Sequence, residues 1–414
     1  MSFNPVHLDT DQWAQTLVTA GMKGVILTAK HHDGFCLWPS ELTDYNIAHT
    51  PYKDGQGDVV GELAAACRKY GLKFGVYLSP WDRHRADYGQ PSYVDYYHAQ
   101  LRELLTRYGD IFEVWFDGAN GGDGYYGGAR ELRHIDRRTY YDFPAAWSMV
   151  EVLQPEAICF SDGGPGCRWV GNENGKAGTT NWSFLRSDEV YPGYPNADEL
   201  TTGHADGNAW IPAECDVSLR PGWFYHERED SQVKTALDLV ELYYQSVGRN
   251  ANLLLNFPVN KDGLISKIDS VNAVEFHRRI GQDLANNLVS IARVEATQER
   301  GKGFEAKLVG DDDYHTYWAT NDEQNSGTLT FTWSHPQQIS KVMLQEYIPL
   351  GQRVKLFSLE YYHEGIWYPI EVAEETTTIG YKRIVRFESL RTTALRIHFL
   401  DARGPLCIST VGVF

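Results

Sequence analysis

Glu113-Val114-Trp115-Phe116-Asp117-Gly118-Ala119-Asn120 is an apolar, aromatic run that halts at a single carboxylate followed by small, turn-forming residues. A strand ending in Asp-Gly sets that carboxylate at its C-terminal tip, held by a rigid element and facing a loop. In an α/β barrel this rim carries the chemistry. An Asp that merely opens a turn is the plainer reading. The flanking segments decide between the two.

Upstream, strand-like and helix-like segments alternate, as in βα units around a parallel sheet. Asp9 or Thr10 is placed to cap a helix from Gln12 to Ala20, which Gly21 closes. The run Gly24 to Ala29 reads as a buried strand emerging at Lys30-His31-His32-Asp33-Gly34. A helix from Val59 to Tyr70 stops at Gly71, and a strand from Lys73 to Leu78 reaches a rim at Ser79-Pro80-Trp81. A helix from Tyr93 to Tyr108 leads into the strand that ends at Asp117. Downstream come a helix after Asp142 and strands at Ala157 to Ser161, Ile211 to Asp216 and Asn252 to Asn256. A further helix spans Ser231 to Gly248. No glycine-rich dinucleotide fingerprint follows any strand, which favours a (β/α) barrel over a doubly wound sheet.

The style changes near Arg293, after a helix from Val271 to Leu288. Short strands with period-two patterning follow at Thr328 to Trp333, Ile339 to Glu346, Val354 to Tyr362 and Ala394 to Phe399, as in an antiparallel β-sandwich. The expected division is a barrel over residues 1–293 and a sandwich over 294–414. Asp313-Tyr314-His315-Thr316-Tyr317-Trp318-Ala319 resembles the opening of discoidin-like, galactose-binding-like sandwiches, which bind sugars or brace a catalytic domain.

At 414 residues, two domains are the natural expectation. Lys plus Arg number 38 against 55 Asp plus Glu, a balance of −17 that argues against nucleic acid or an anionic membrane as partner. The six cysteines are scattered without a C-x-x-C pair, so a zinc ribbon or redox motif is not expected. No apolar run reaches the length of a membrane span. The 12 Trp and 25 Tyr supply rings of the kind that line sugar sites as well as cores.

Two carboxyl groups flanking a scissile bond suffice to cleave a glycoside, and retention needs them roughly 5–5.5 Å apart. Asp117 is the candidate nucleophile. Asp162, Glu173, Glu214 and Asp216 are rim candidates for the acid/base. Glu173 lies in Arg168-Trp169-Val170-Gly171-Asn172-Glu173, beside an aromatic that would partly desolvate it and raise its pKa. Glu214, in Pro212-Ala213-Glu214-Cys215-Asp216, suits hydrogen bonds to sugar hydroxyls equally well. Spacing alone leaves both open.

KHHDGFCLW (Lys30 to Trp38), GVYLSPW (Gly75 to Trp81), VWFDGANG (Val114 to Gly121), RWVGNENG (Arg168 to Gly175) and LLLNFPVNKDGLI (Leu253 to Ile265) occur in order through the first domain. Together they resemble the α-L-fucosidases of glycoside hydrolase family 29. The resemblance implies Asp117 as nucleophile and, in the branch reading RWVGNE, Glu173 as acid/base. It also implies His31, His32, Tyr77 and Arg168 as groups around the fucose hydroxyls and the reacting centre. Neutral imidazoles both accept and donate, which suits a polyol. Trp38, Trp81 and Trp223 are candidates to pack on the apolar face of a deoxy sugar. A metal pair at His31-His32 is not expected, because neighbours at a strand end point to opposite faces. No cofactor is implied.

The same branch implies α-1,3- and α-1,4-linked fucose on branched, Lewis-type glycans, released by a retaining exo-acting enzyme. Members of the family begin with a barrel strand whose histidine joins the fucose pocket. Here Met1 lies immediately before the first helix, so the expectation is a (β/α)8-like barrel lacking its first strand. A fucose-binding protein that lost catalysis with that strand, a retaining hydrolase of another sugar and a lectin-like sandwich are the rival readings. A periplasmic or secreted location would follow if the natural start carries a signal peptide. Oligomeric state is not legible.

Overall fold

The computed structural model describes residues 2–414, and Met1 lies outside them. In chain order the first part holds β1 (Gly24–Lys30), β2 (Lys73–Leu78), β3 (Glu113–Trp115), a hairpin of β4 (Asp123–Tyr126) and β5 (Ala129–Leu132), β6 (Ile158–Ser161) and β7 (Cys167–Trp169). A small pair, β8 (Phe184–Leu185) and β9 (Ala209–Trp210), precedes β10 (Ala213–Ser218) and β11 (Ala251–Asn256). The helices are α1 (Thr10–Thr19), α2 (Val59–Tyr70), α3 (Pro91–Arg107), α4 (Phe143–Leu153), α5 (Ala197–Thr202), α6 (Ala236–Gln245) and α7 (Lys267–Asp283).

Seven of these strands form one parallel sheet in the order β1-β2-β3-β6-β7-β10-β11. The sheet is curled. The indole N–H of Trp115 on β3 reaches Glu214 on β10 at 3.0 Å, past the two strands between them. Alternation on β3 explains the sidedness: Val114 and Phe116 are 1% exposed and turn outward, where Phe116 meets Phe143 of α4 edge-on. Glu113, Trp115 and Asp117 occupy the other parity and turn inward. Asp58 caps α2 by accepting from the Gly61 N–H, and Gly71 ends it at φ 73°.

The expected barrel short of one strand is what the sheet displays. β1 and β11 are its outer strands and are mostly half-buried, whereas every residue of β10 is buried. Behind those outer strands the helical layer continues, with α1 against both α2 and α7. Gln12 ties it shut through two bonds to Ile265, Nε2 to the carbonyl at 3.0 Å and the Ile265 N–H to Oε1 at 3.1 Å.

The C-terminal part comprises β12 (Arg293–Ala296), β13 (Trp318–Ala319), β14 (Gly327–Glu346), β15 (Val354–His363), β16 (Ile366–Pro369), β17 (Arg383–Ala402) and β18 (Cys407–Val413). All pairings are antiparallel, in the order β13-β18-β14-β17-β15-β16 with β12 on β14. Leu329, Phe331, Leu344, Phe357, Leu395 and Ile397 form its own core. Where two strands were expected from Thr328 and Ile339, one continuous β14 runs through a register shift between Thr332 and Gln337.

The two parts meet through polar contacts and a shared apolar cluster. Tyr381 N–H donates to Asn250 Oδ1 at 2.8 Å, and Gln352 exchanges bonds with Asn181 O and Ser183 N–H. Gly380 lies so close that a Cβ there would meet the Asn250 side chain at 2.2 Å. Ile384 of β17 packs among Leu239, Leu255 and Phe276.

Candidate active site

The C-terminal ends of β1, β2 and β3 carry His31, His32, Tyr77, Trp81 and Asp117. Beneath them Lys30, 0% exposed, reaches Asp82 at 3.3 Å and Gln100 Oε1 at 2.8 Å. That buried pair anchors the turn holding His31 and His32 to the loop after β2. The Tyr77 hydroxyl donates to Asp117 Oδ2 at 2.7 Å, and His32 Nε2 lies 3.9 Å from the same oxygen. Burial, then the Asp117 carboxylate, holds the Tyr77 phenol well above its ordinary pKa, so it stays a donor.

His32 Nδ1 meets Ser79 Oγ at 2.7 Å, while that hydroxyl donates its one hydrogen to Trp81 O at 2.8 Å. The imidazole must therefore be the donor to Ser79, which leaves the Nε2 lone pair toward Asp117 and free to accept from a hydroxyl. Burial and the neighbouring His31 push His32 down to about 4, and burial also lowers His31. Both rings are neutral near pH 7. Their centroids are 3.9 Å apart, so they share a face instead of diverging as strand neighbours would. β1 ends at Lys30, and the turn beyond it is not bound to strand alternation.

A cavity of about 330 Å³ lies here, lined by His31, His32, Asp33, Trp81, Arg83 and Phe224. Trp81 sits 4.9 Å from His32 between centroids, and Phe224 meets His31 edge-on at 5.1 Å. Trp223, next to Phe224, is 37% exposed and donates from Nε1 to Glu173 Oε2 at 3.4 Å. The cavity thus runs from the histidine beside Asp117 to the loop that contacts Glu173. Glu173 is exposed, so the desolvation expected from its aromatic neighbour is not found. The indole beside it in sequence, Trp169, turns to Asp216 Oδ1 at 2.7 Å, and burial lifts Asp216 to about 7.

Four other candidates stand apart from the cavity. Trp38 is 0% exposed and donates to Glu103 Oε2 at 2.8 Å, so it is core and not a sugar platform. Arg168 is also 0% exposed, and its guanidinium is spent on Leu200 O, Ile211 O and Asn181 Oδ1 at 2.6–2.8 Å. It braces the loops behind β7, buried away from the cavity. Glu214 is 3% exposed and accepts from Trp115 below the rim, out of reach of sugar hydroxyls. Burial raises it to about 7. Glu113, Cys167 and Glu214 bring three ligand-type atoms within 4.8 Å of one another, all buried beneath the site. Asp162 likewise turns to the Gly193 N–H and is lifted to about 7 by burial.

Reasoning from sequence missed Trp115, Ser79, Arg83 and Phe224. Trp115 was signalled: it precedes Asp117 by two on one strand and so shares its face. Its ring lies 5.5 Å from Tyr77 and stacks on Phe160 at 3.9 Å. Phe224 and Arg83 lie in loops, where no periodicity marks direction.

Comparison with known proteins gives a consistent picture. The family model described as Alpha-L-fucosidase matches residues 1–287, and that of the F5/8 type C domain matches 293–410. Alpha-L-fucosidase 1 of Arabidopsis thaliana is 41% identical over 419 residues, covering 100% of this chain and 79% of that protein. A crystal structure of a glycoside hydrolase 29 family member from an unknown rumen bacterium aligns with TM-score 0.88 at 44% identity, covering 100% of this chain and 70% of the other. A Ruminococcus gnavus GH29 fucosidase in complex with fucose aligns with TM-score 0.87 at 32% identity, covering 100% and 86%.

Proposed function

The chain belongs to the alpha-L-fucosidase family of glycoside hydrolases, and from that premise we propose that it releases fucose with retention, Asp117 attacking and Glu173 serving as acid/base. The observation carrying this reading is the setting of Asp117: an inward carboxylate at a strand end, met by Tyr77 at 2.7 Å and faced by a neutral His32 at 3.9 Å.

In the first step an Asp117 oxygen bonds to C1 as the C1–O bond to the aglycone breaks. Glu173 gives its proton to the departing oxygen. In the second step Glu173 takes a proton from water, whose oxygen attacks C1 and frees the Asp117 carboxylate. His31, His32 and Tyr77 hold hydroxyls, and Trp81 offers its ring to the apolar face. Trp223 orients Glu173 on the side where the aglycone enters. The substrate is a fucosylated oligosaccharide, with α-1,3- or α-1,4-linked fucose on a branched glycan as the preferred form.

Proton NMR of the product as it forms tests the mechanism. Retention gives α-fucose first, and β-fucose appearing first would replace Asp117 as nucleophile with a water-activating base. Asp117→Ala should abolish turnover with an unchanged melting profile. Glu173→Ala should be partly rescued by azide, and rescue of Glu214→Ala alone would reassign the acid/base. Digestion of α-1,2-, α-1,3-, α-1,4- and α-1,6-fucosylated oligosaccharides reads the linkage directly.

A further inference from the structure

Beneath the pocket lie two carboxyl groups that the proposed reaction does not use. Glu113 of β3 and Glu214 of β10 are 4% and 3% exposed and bring carboxyl oxygens within 4.8 Å of each other inside the curled sheet. The neighbouring strands bring Cys159, Cys167, Cys215 and Asp216 near them. Cys167 Sγ is 3.9 Å from Glu113 Oε1. Arg168 of β7 commits its guanidinium elsewhere, to Leu200, Ile211 and Asn181.

Two buried carboxyl groups this close, without a committed cation, do not both ionise, so the pair holds one proton. Its placement follows from the third partner. Glu214 Oε1 accepts the Trp115 N–H at 3.0 Å, which favours the charge on Glu214 and the proton on Glu113. Trp115 is half-exposed, stacked on Phe160 and beside Tyr77, whose hydroxyl holds Asp117.

We propose that Glu113 and Glu214 are positioning residues whose shared proton fixes Glu214 as acceptor for Trp115 and thereby holds that indole in the pocket wall. The proposal rests on the reading of this pocket as the fucose site. Glu113 donates to Glu214, and Glu214 accepts from both Glu113 and Trp115. Losing the shared proton places a second charge in the barrel interior, drives the carboxylates apart and releases the indole. Burial, then Glu214, holds Glu113 well above its ordinary pKa, in keeping with the proton residing there.

Glu113→Gln and Glu214→Ala test it, with melting midpoints read from about pH 5 to 9 without sugar, and kcat and KM read on a fucosylated trisaccharide. Glu113→Gln keeps a donor that cannot titrate. Its KM should match the wild type within about twofold near pH 6 and hold steady at alkaline pH, where the wild-type KM rises. Glu214→Ala should raise KM about tenfold or more with a smaller change in kcat. The folded wild type holds a proton that the unfolded chain releases near pH 4.5, so its stability falls as pH rises, and Glu113→Gln should lessen that slope. A Glu113→Gln midpoint with the wild-type pH slope overturns the proposal. Wild-type protein that releases no fucose would sink the fucosidase mechanism instead, and the sugar-free midpoints would still decide this one.

Discussion

The Tyr77 hydroxyl donates to Asp117 Oδ2 across 2.7 Å, joining the ends of neighbouring strands β2 and β3. A carboxylate held by one donor keeps a fixed rotamer, and its other oxygen, Oδ1, is fixed by the Ala119 N–H at 2.7 Å. The pair of bonds aims the carboxylate before substrate arrives, and aim is what a nucleophile requires. Tyr77→Phe removes one of the two while keeping the ring. The expected result is a fall in kcat of roughly 10- to 100-fold, from a lost charge-assisted bond, with a folded protein by circular dichroism. Wild-type kcat in that variant would show that the Ala119 bond alone suffices.

The neutral state of His32 has consequences at acid pH. Its folded pKa is pushed down to about 4 by burial, then by His31, from an ordinary 6.5. Folded protein therefore binds fewer protons than the unfolded chain between those values. The stability this ring contributes is complete above about pH 6.5 and is lost as pH falls through the folded pKa. An NMR titration of the His32 ring should show a midpoint near 4, and fucose binding should show no step near 6.5 from this residue. A His32 midpoint at the ordinary value would mean that the ring is open to water and unsuited to accept from a sugar hydroxyl through Nε2.

Much of the fold was legible because periodicity and punctuation agreed. The segments from Val59 to Tyr70 and Lys73 to Leu78 form as read, bounded by Asp58 and Gly71. Boundaries slipped where a cap lay deeper than the composition suggested. α6 starts at Ala236, behind a Thr235–Asp238 capping box, and the residues before it form a 3₁₀ turn over Glu227–Gln232. β7 was hidden because Cys167–Trp169 is three residues long and sits in a motif read as a loop. At the site, direction was legible only where strand alternation could be read. Asp117 and Tyr77 follow alternation. Trp38 lies past the end of β1, where nothing local tells an indole which way to turn, and Arg168 is the middle residue of β7, a strand too short for its alternation to be read from sequence. What fixes them is non-local: Glu103 on α3 for Trp38, and the carbonyls of Leu200 and Ile211 for Arg168.

Arg168 is the sharpest case for separating support from chemistry. Three of its nitrogens each donate to a different oxygen, two from separate loop carbonyls and one from Asn181 Oδ1, and Asn181 in turn donates to the carbonyls of Arg249 and Asn250 near the second domain. A lysine carries the same charge but lacks the planar fork, so it satisfies at most part of this set and strands the remaining buried oxygens. Arg168→Lys should lower stability by about 2–4 kcal/mol in chemical denaturation. At a temperature where the variant is fully folded, kcat/KM should stay within about threefold of the wild type, because the guanidinium faces away from the cavity. A loss of several hundredfold in kcat with little change in stability would return Arg168 to the reacting centre.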